Sequence, residues 1–239
     1  MAGSSLAGER GVPPSLASLD RRLITCTRCP RLVAWREQVA RDKVRRHQHE
    51  TYWGRPVPGF GPADARLLLV GLAPGAHGSN RTGRMFTGDA SGDWLYEALH
   101  RYGFASRPTS TSRDDGLELL DCRITAAARC APPGNKPTAA ELAHCRPWLV
   151  AELQVLSRVQ VVIALGRIGF DAWVKASGNR RRALGAGPRP AFAHGRAWRA
   201  PDGTLLIASY HPSRQNTNTG RLTRAMWHAV FARARRELR

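Results

Sequence analysis

Residues 66–92 read RLLLVGLAPGAHGSNRTGRMFTGDASG, and the order of their parts decides the fold. A wholly apolar run at 67–70 passes without a break into a loop crowded with glycine. The loop is followed by a segment, 90–102, in which Trp94, Leu95, Ala98 and Leu99 recur at helical spacing. Strand, glycine loop and helix in that order let the backbone approach a ligand closely. The loop carries one aromatic ring, Phe86, and one carboxylate, Asp89. The first can stack on a bound group and the second can act on it.

Working outward, three more β-rich apolar runs follow at 121–127, 160–165 and 204–209. Each is nearly continuous in apolarity, as strands covered on both faces are. Helical patterns fall at 19–24, 32–44, 139–156, 169–176 and 222–238, and Thr138 with Glu141 forms a capping box before the third. Alternating strands and helices predict an α/β domain: a three-layer α/β/α sandwich with a central four-stranded parallel sheet. Ligands of such sheets bind beyond the C-terminal strand ends. The segments standing there are GLAPGAHG, ARCAPPGNKPT, ALGRIG and ASYHPSRQNTNTG, and they are expected to converge on one pocket. Residues 1–18, rich in Gly, Ser, Ala and Pro, read as a disordered leader, and 19–239 as one domain. Residues 106–116 and 180–189 read as surface loops. The sequence holds no run of 18 apolar residues and no N-terminal signal-like apolar stretch, so a cytoplasmic, non-membrane protein is expected.

The formal charge, 37 − 18 = +19, suggests a polyanionic partner. A high-GC genome rich in Ala, Arg and Gly codons is the plain alternative. Of five cysteines, Cys122 lies within a strand and reads as a buried apolar residue. Cys26, Cys29, Cys130 and Cys145 remain, as C-x2-C plus a wider pair. Disulfides are disfavoured in a cytosolic chain. Four thiolates suit structural zinc or an iron–sulfur cluster, and a single tight pair leans toward the cluster.

These residues carry a specific pattern. CTRCPRLVAWRE (26–37), PVPGFG (56–61), GLAPGAHGSNRTGRMFTGDASG (71–92), ARCAPPGNKPT (128–138) and ASYHPSRQNTNTGRLT (208–223) resemble the family 5 uracil-DNA glycosylases, the iron–sulfur branch of their superfamily. The resemblance runs over residues 20–239. It implies a [4Fe–4S] cluster on Cys26, Cys29, Cys130 and Cys145. It further implies a monomeric enzyme that flips uracil, and other deaminated or modified bases, out of DNA. Hydrolysis of the N-glycosidic bond then leaves an abasic site for base excision repair.

A glycosylase must stack the extruded base, read its edge, stabilise the departing anion and position water. The resemblance places Phe86 against the base, where the residue alone reads equally as a core cap. It gives Asn135 the uracil edge, which an amide can both donate to and accept from; unaided, Asn135 in PPGNKPT reads as a turn residue. It gives His211 the donor role toward the base, against a plain loop histidine. Gly71, Ala73 and Gly75 form a small, uncharged pocket wall. Superfamily branches with an early acidic or amide residue have no counterpart in GLAPGAHG, which moves the water-handling or cation-stabilising role to Asp89. The structural alternative for Asp89 is the N-cap of the following helix. Arg214, Gln215 and Asn216 are expected to fill the gap left by the flipped base. Arg81, Arg84, Lys136, Arg214 and Arg221 are expected at phosphates, with marked salt sensitivity. No lysine reads as a Schiff-base nucleophile, so no strand cleavage is expected. The rival readings are a non-catalytic iron–sulfur or zinc module for single-stranded nucleic acid, and a nucleotide-binding loop, which lacks the GxGxxG pattern.

Overall fold

The first strand, β1 (Leu67–Gly71), is buried along its whole length, and the sheet is organised by the alternation of its side chains. This computed structural model describes residues 15–177 and 191–239. Strands β2 (Cys122–Ala126), β3 (Val161–Leu165), β4 (Ala197–Arg199) and β5 (Leu205–Ser209) complete one sheet in the order β2-β1-β3-β5-β4. Leu67 stands opposite both Cys122 and Val161, and Val161 opposite Leu205, all in parallel register. The four expected parallel strands are therefore present. A fifth was not expected: β4 runs antiparallel at the edge, pairing Ala197 with Ile207 and Arg199 with Leu205. Ala-Trp-Arg is too short to show a two-residue period and is only partly buried, so it left no signal in the sequence. An antiparallel strand at the edge of a parallel sheet is a common arrangement.

Leu67, Leu69, Ile124, Ile163 and Ile207 face helices α4 (Ala90–Arg101) and α8 (Arg224–Glu237), packing with Leu95, Leu99, Trp227 and Phe231. Leu68, Val70, Val162 and Leu206 face the opposite way. They pack against α5 (Ala139–Val155) and α6 (Gly166–Ala176) through Leu149, Leu153, Phe170 and Trp173. Two covered apolar faces are the reason β1, β3 and β5 read as unbroken apolar runs. On β2 the second face is polar: Arg123 and Thr125 are buried and bind Glu152 of α5 at 2.7 and 2.6 Å. Arg129 takes the same carboxylate. Burial alone would raise the pKa of Glu152, but the guanidinium groups of Arg129 and Arg123 outweigh it and hold the carboxyl down to about 2.

Before the sheet lie α1 (Leu16–Leu23) and α2 (Pro30–Asp42). Ser15 caps α1 through its hydroxyl, so residues 16–18, which read as part of the leader, belong to this helix. Residues 1–14 and the surface loop expected at 180–189 lie outside the described residues. Pro30 occupies the first turn of α2, where its missing N–H costs nothing. The capping box of α5 is present in both directions, at 3.2 and 2.7 Å. Two short helices, α3 (Ser79–Thr82) and α7 (Arg214–Asn218), lie inside segments that read as loops. No described helix is long and apolar enough to cross a membrane.

The chain leaves β1 toward β2 and then returns to set β3 on the other side of β1. The reversal lies between β1 and β3, and a ligand crevice forms above such a point. Close packing there depends on Gly169. A Cβ at this position would stand 2.4 Å from the Val70 carbonyl oxygen, so a hydrogen is all that lets α6 rest on β1. Gly169→Ala is expected to destabilise the fold by about 1–3 kcal/mol through overpacking. Thermal unfolding checks this, with a fall in Tm of about 2–4 °C for each kcal/mol. An unchanged Tm would mean that α6 can shift freely on the sheet.

Candidate active site

Phe86 has φ 55°, a left-handed conformation costly for an aromatic residue. Its ring lies on Gly71 at the end of β1. A Cβ there would stand 3.0 Å from two ring carbons. Its backbone N–H donates to Ser79 Oγ at 2.9 Å, and a Cβ on Gly92 would lie 1.9 Å from its carbonyl oxygen. The ring is 8% exposed. It therefore belongs to the core and also offers an edge at the strand ends, so the two sequence readings are compatible.

Arg84 supports that backbone from beneath. It is 5% exposed. Nε donates to Thr87 Oγ1 at 3.0 Å, one nitrogen donates to the Arg113 carbonyl at 3.1 Å, and the other to Ser110 Oγ at 2.7 Å and Asp115 Oδ2 at 2.6 Å. Asp115 also accepts three backbone N–H groups, from Thr111, Ser112 and Leu117. Its pKa falls well below the ordinary carboxylate range, because the Arg84 pairing and these N–H bonds outweigh its desolvation. Loop 106–116 is thus locked to the glycine loop. Arg81 is likewise internal, 8% exposed, with Nε on the His77 carbonyl and a short ion pair to Glu50. Neither arginine is available to DNA phosphates as the sequence suggested; both serve the loop that carries Phe86.

Asp89 caps α4: Oδ1 accepts the N–H groups of Ser91 and Gly92, each at 3.0 Å. The helix-cap reading of Asp89 therefore holds. The cap uses one oxygen only. Oδ2 faces the glycine loop, where a Cβ on Gly78 would meet it at 2.2 Å and one on Gly75 at 3.0 Å. Burial raises the Asp89 pKa, and the two N–H bonds oppose the shift.

His211 follows β5. Its ring stacks on Phe86 with centroids 5.6 Å apart and planes 27° from parallel. Burial pushes its pKa down to about 4, so the imidazole is neutral at ordinary pH. Gly166, at φ 81°, leaves room for it: a Cβ there would stand 3.4 Å from the His211 Cβ. The Asn216 side-chain amide donates to the His211 carbonyl at 2.9 Å. Asn216 is therefore a latch on the histidine rather than a free wedge, while Arg214 and Gln215 are exposed on α7. Arg221 is exposed, with its guanidinium 4.7 Å from the Tyr210 ring centre. Asn135 ends a 3-10 turn, Pro133–Asn135, with φ 57°. It is exposed, as is Lys136, and no hydrogen bond ties it to Phe86, Asp89 or His211.

Cys26, Cys29, Cys130 and Cys145 line one cavity with Arg129, His144 and Trp148. Among the described residues no group of three or more His, Cys, Asp or Glu converges as the ligands of a single ion would. The thiols stand around a space instead. Arg36, 4% exposed, donates to Cys130 Sγ at 3.0 Å and to the Cys26 carbonyl at 3.3 Å. Burial pushes the Cys130 and Cys145 thiols up to about 11 and 12. Arg36, Ser79, Asp115 and Glu152 were not singled out from sequence. A charged residue inside an apolar run, as at Glu152, was the available signal.

The Phe86 ring, the neutral His211 imidazole and the half-buried Asp89 carboxylate thus lie at the strand ends and in the loop that follows β1. Residues 58–235 match the family model of the uracil DNA glycosylase superfamily. The type-5 uracil-DNA glycosylase of Thermus thermophilus is 55% identical over 214 residues, spanning 90% of this chain and 94% of that one. That of Pyrobaculum aerophilum is 49% identical over 213 residues, 89% of each chain. A type-4 uracil-DNA glycosylase from the same organism is 34% identical over 60% of this chain and 64% of its own. The chain belongs to the type-5 uracil-DNA glycosylases, and its activity is the excision of uracil from DNA in repair.

Arg84→Met removes the lock while keeping the stem. Single-turnover excision of uracil is expected to fall by on the order of 10-fold or more through displaced Phe86 and Asp89, with Arg84→Lys recovering part of it. Equal rates for both variants and the parent enzyme would show that the loop is held by other means.

Proposed function

We propose that Phe86, His211 and Asp89 divide the chemistry of base excision among them. Phe86 stacks on the flipped base. The base leaves as an anion while positive charge grows on the sugar. His211 is suited to the first charge. A neutral imidazole donates a hydrogen bond to the developing anion without surrendering its proton, and burial keeps it neutral. Such preorganised donors are worth on the order of 10²–10³ in rate. Asp89 is suited to the second charge. Its Oδ2 stands against bare glycine backbone, and in a partly desolvated site its attraction for a cationic sugar exceeds that in water. The same oxygen can accept a hydrogen bond from the attacking water. The observation that carries this reading is the stacked Phe86–His211 pair, together with a carboxylate three residues after Phe86 that keeps one oxygen uncommitted toward the glycine loop.

Asn135, on an exposed turn with its amide unpaired, is suited to closing over the edge of the base once DNA is bound. Arg214, Gln215, Lys136 and Arg221 are exposed and suited to the DNA strand. Water as nucleophile and no placed lysine make the product an abasic site without strand cleavage. The small wall of Gly71, Ala73 and Gly75 is compatible with other deaminated bases besides uracil. The enzyme is read as a monomer acting in the cytoplasm on DNA.

We further assign Cys26, Cys29, Cys130 and Cys145 as holders of a [4Fe–4S] cluster. Four thiols spread around a space fit a group larger than one ion. The buried donors Arg129 Nε and Trp148 Nε1, on residues lining the cavity, have no partner, as expected where anionic sulfur completes the site. A cluster there staples α1 and α2 to the end of β2 and to α5.

Asp89→Asn tests the mechanism, because asparagine caps a helix as well as aspartate does. Single-turnover excision is expected to drop by on the order of 10²-fold with Tm little changed. The reaction needs the carboxylate ionised, and burial raises its pKa. The parent rate should therefore fall as pH is lowered through a value above the ordinary carboxylate range, and this acid limb should vanish in the variant. His211, already neutral, should add no inflection between about pH 5 and 8. Full activity in Asp89→Asn would remove Asp89 from the mechanism.

A further inference from the structure

Arg36 is a buried cation whose partners are all neutral or distant. Among the described residues its one carboxylate partner is Glu37, at 3.8 Å and itself half exposed. It spends one guanidinium nitrogen on Cys130 Sγ and the Cys26 carbonyl, and its Nε has no partner. It stands seven residues after Cys29 on α2, two helical turns along the same face. An uncompensated buried charge costs several kcal/mol, so a site built this way calls for an anion. A neutral thiol is a weak acceptor and does not meet the need.

Arg129 repeats the pattern from the other side. Its guanidinium is shared with Glu152 on one side only, leaving Nε unpaired. Arg123 binds the same carboxylate, so Glu152 does not cancel both arginines.

We propose that Arg36, with Arg129 in support, is the charge-compensating donor of the cysteine cavity and sets the stability and reduction potential of what binds there. The inference rests on the cluster assignment above. Four thiolates around a [4Fe–4S] core leave net negative charge in a desolvated space. Hydrogen bonds and cations beside the sulfurs stabilise the added electron and raise the potential. Arg36 also ties this cavity to the active-site loop. Its carbonyl accepts from the Asn80 side chain at 3.2 Å, and Asn80 N–H donates to the Gly75 carbonyl at 3.0 Å. Arg36 is thus a positioning residue and not a catalytic one.

The test uses the full-length protein purified without oxygen. Iron content, visible absorbance, its bleaching rate in air and the reduction potential by voltammetry are measured for the parent, Arg36→Lys and Arg36→Met. Arg36→Met is expected to shift the potential downward and bleach at least several-fold faster. Arg36→Lys, which keeps the charge but loses the fork, should fall between. Iron bound in both variants with parental potential and bleaching would overturn the assignment of Arg36 and leave the cluster standing. A parent protein without iron would overturn the cluster and this inference together. Should Arg36→Met fail to fold, a parental potential in Arg36→Lys would count against the fork, and a lowered one in its favour.

Discussion

At the end of β1 only a hydrogen atom fits. The ring of Phe86 occupies the space where a Gly71 side chain would be, and this forces the loop that follows into its path. Phe86 has to adopt φ 55° to lay its ring there. Ser79 meets its N–H, Gly92 yields to its carbonyl, and the chain arrives at Asp89 in the geometry that starts α4. Replacing any of these pieces would move both the ring and the carboxylate. The strain in one residue is held by the packing of the whole segment, which is how a site keeps its groups in place before substrate arrives.

The second theme is the inward use of arginine. Arg36, Arg81, Arg84, Arg123 and Arg129 are all buried. Each one braces a segment that lacks an apolar partner: a glycine-rich loop, a polar face of β2, or a cavity of thiols. A rigid fork with five donors can satisfy several carbonyls at once, which lysine cannot. Such networks stiffen the chain where hydrophobic packing is not available. They offer less net stability than apolar contacts would, because desolvation opposes them.

The parallel strands were legible because both faces of Leu67–Gly71 and Val161–Leu165 are buried, so burial wrote itself into unbroken apolar runs. The capping box at Thr138 and Glu141 was legible because it is local. The reading of Arg81 and Arg84 failed for the opposite reason. A loop arginine looks the same whether it meets a phosphate or an aspartate 31 residues away, as Arg84 does with Asp115. Edge strand β4 and helices α3 and α7 were missed since three to five residues carry too little period to register. Asp89 was foreseen as either cap or reactive group; the geometry shows that it is the cap and that capping engages only one of its two oxygens. Asn216 was read as a wedge because nothing in its spacing disclosed the His211 carbonyl.

The buried arginines also alter what the formal charge of +19 means. Polyelectrolyte binding is driven by release of condensed counterions, and the number released follows the phosphates a protein neutralises rather than its net charge. Guanidinium groups sealed in the interior displace none. The composition therefore overstates how many phosphates the surface can neutralise at once.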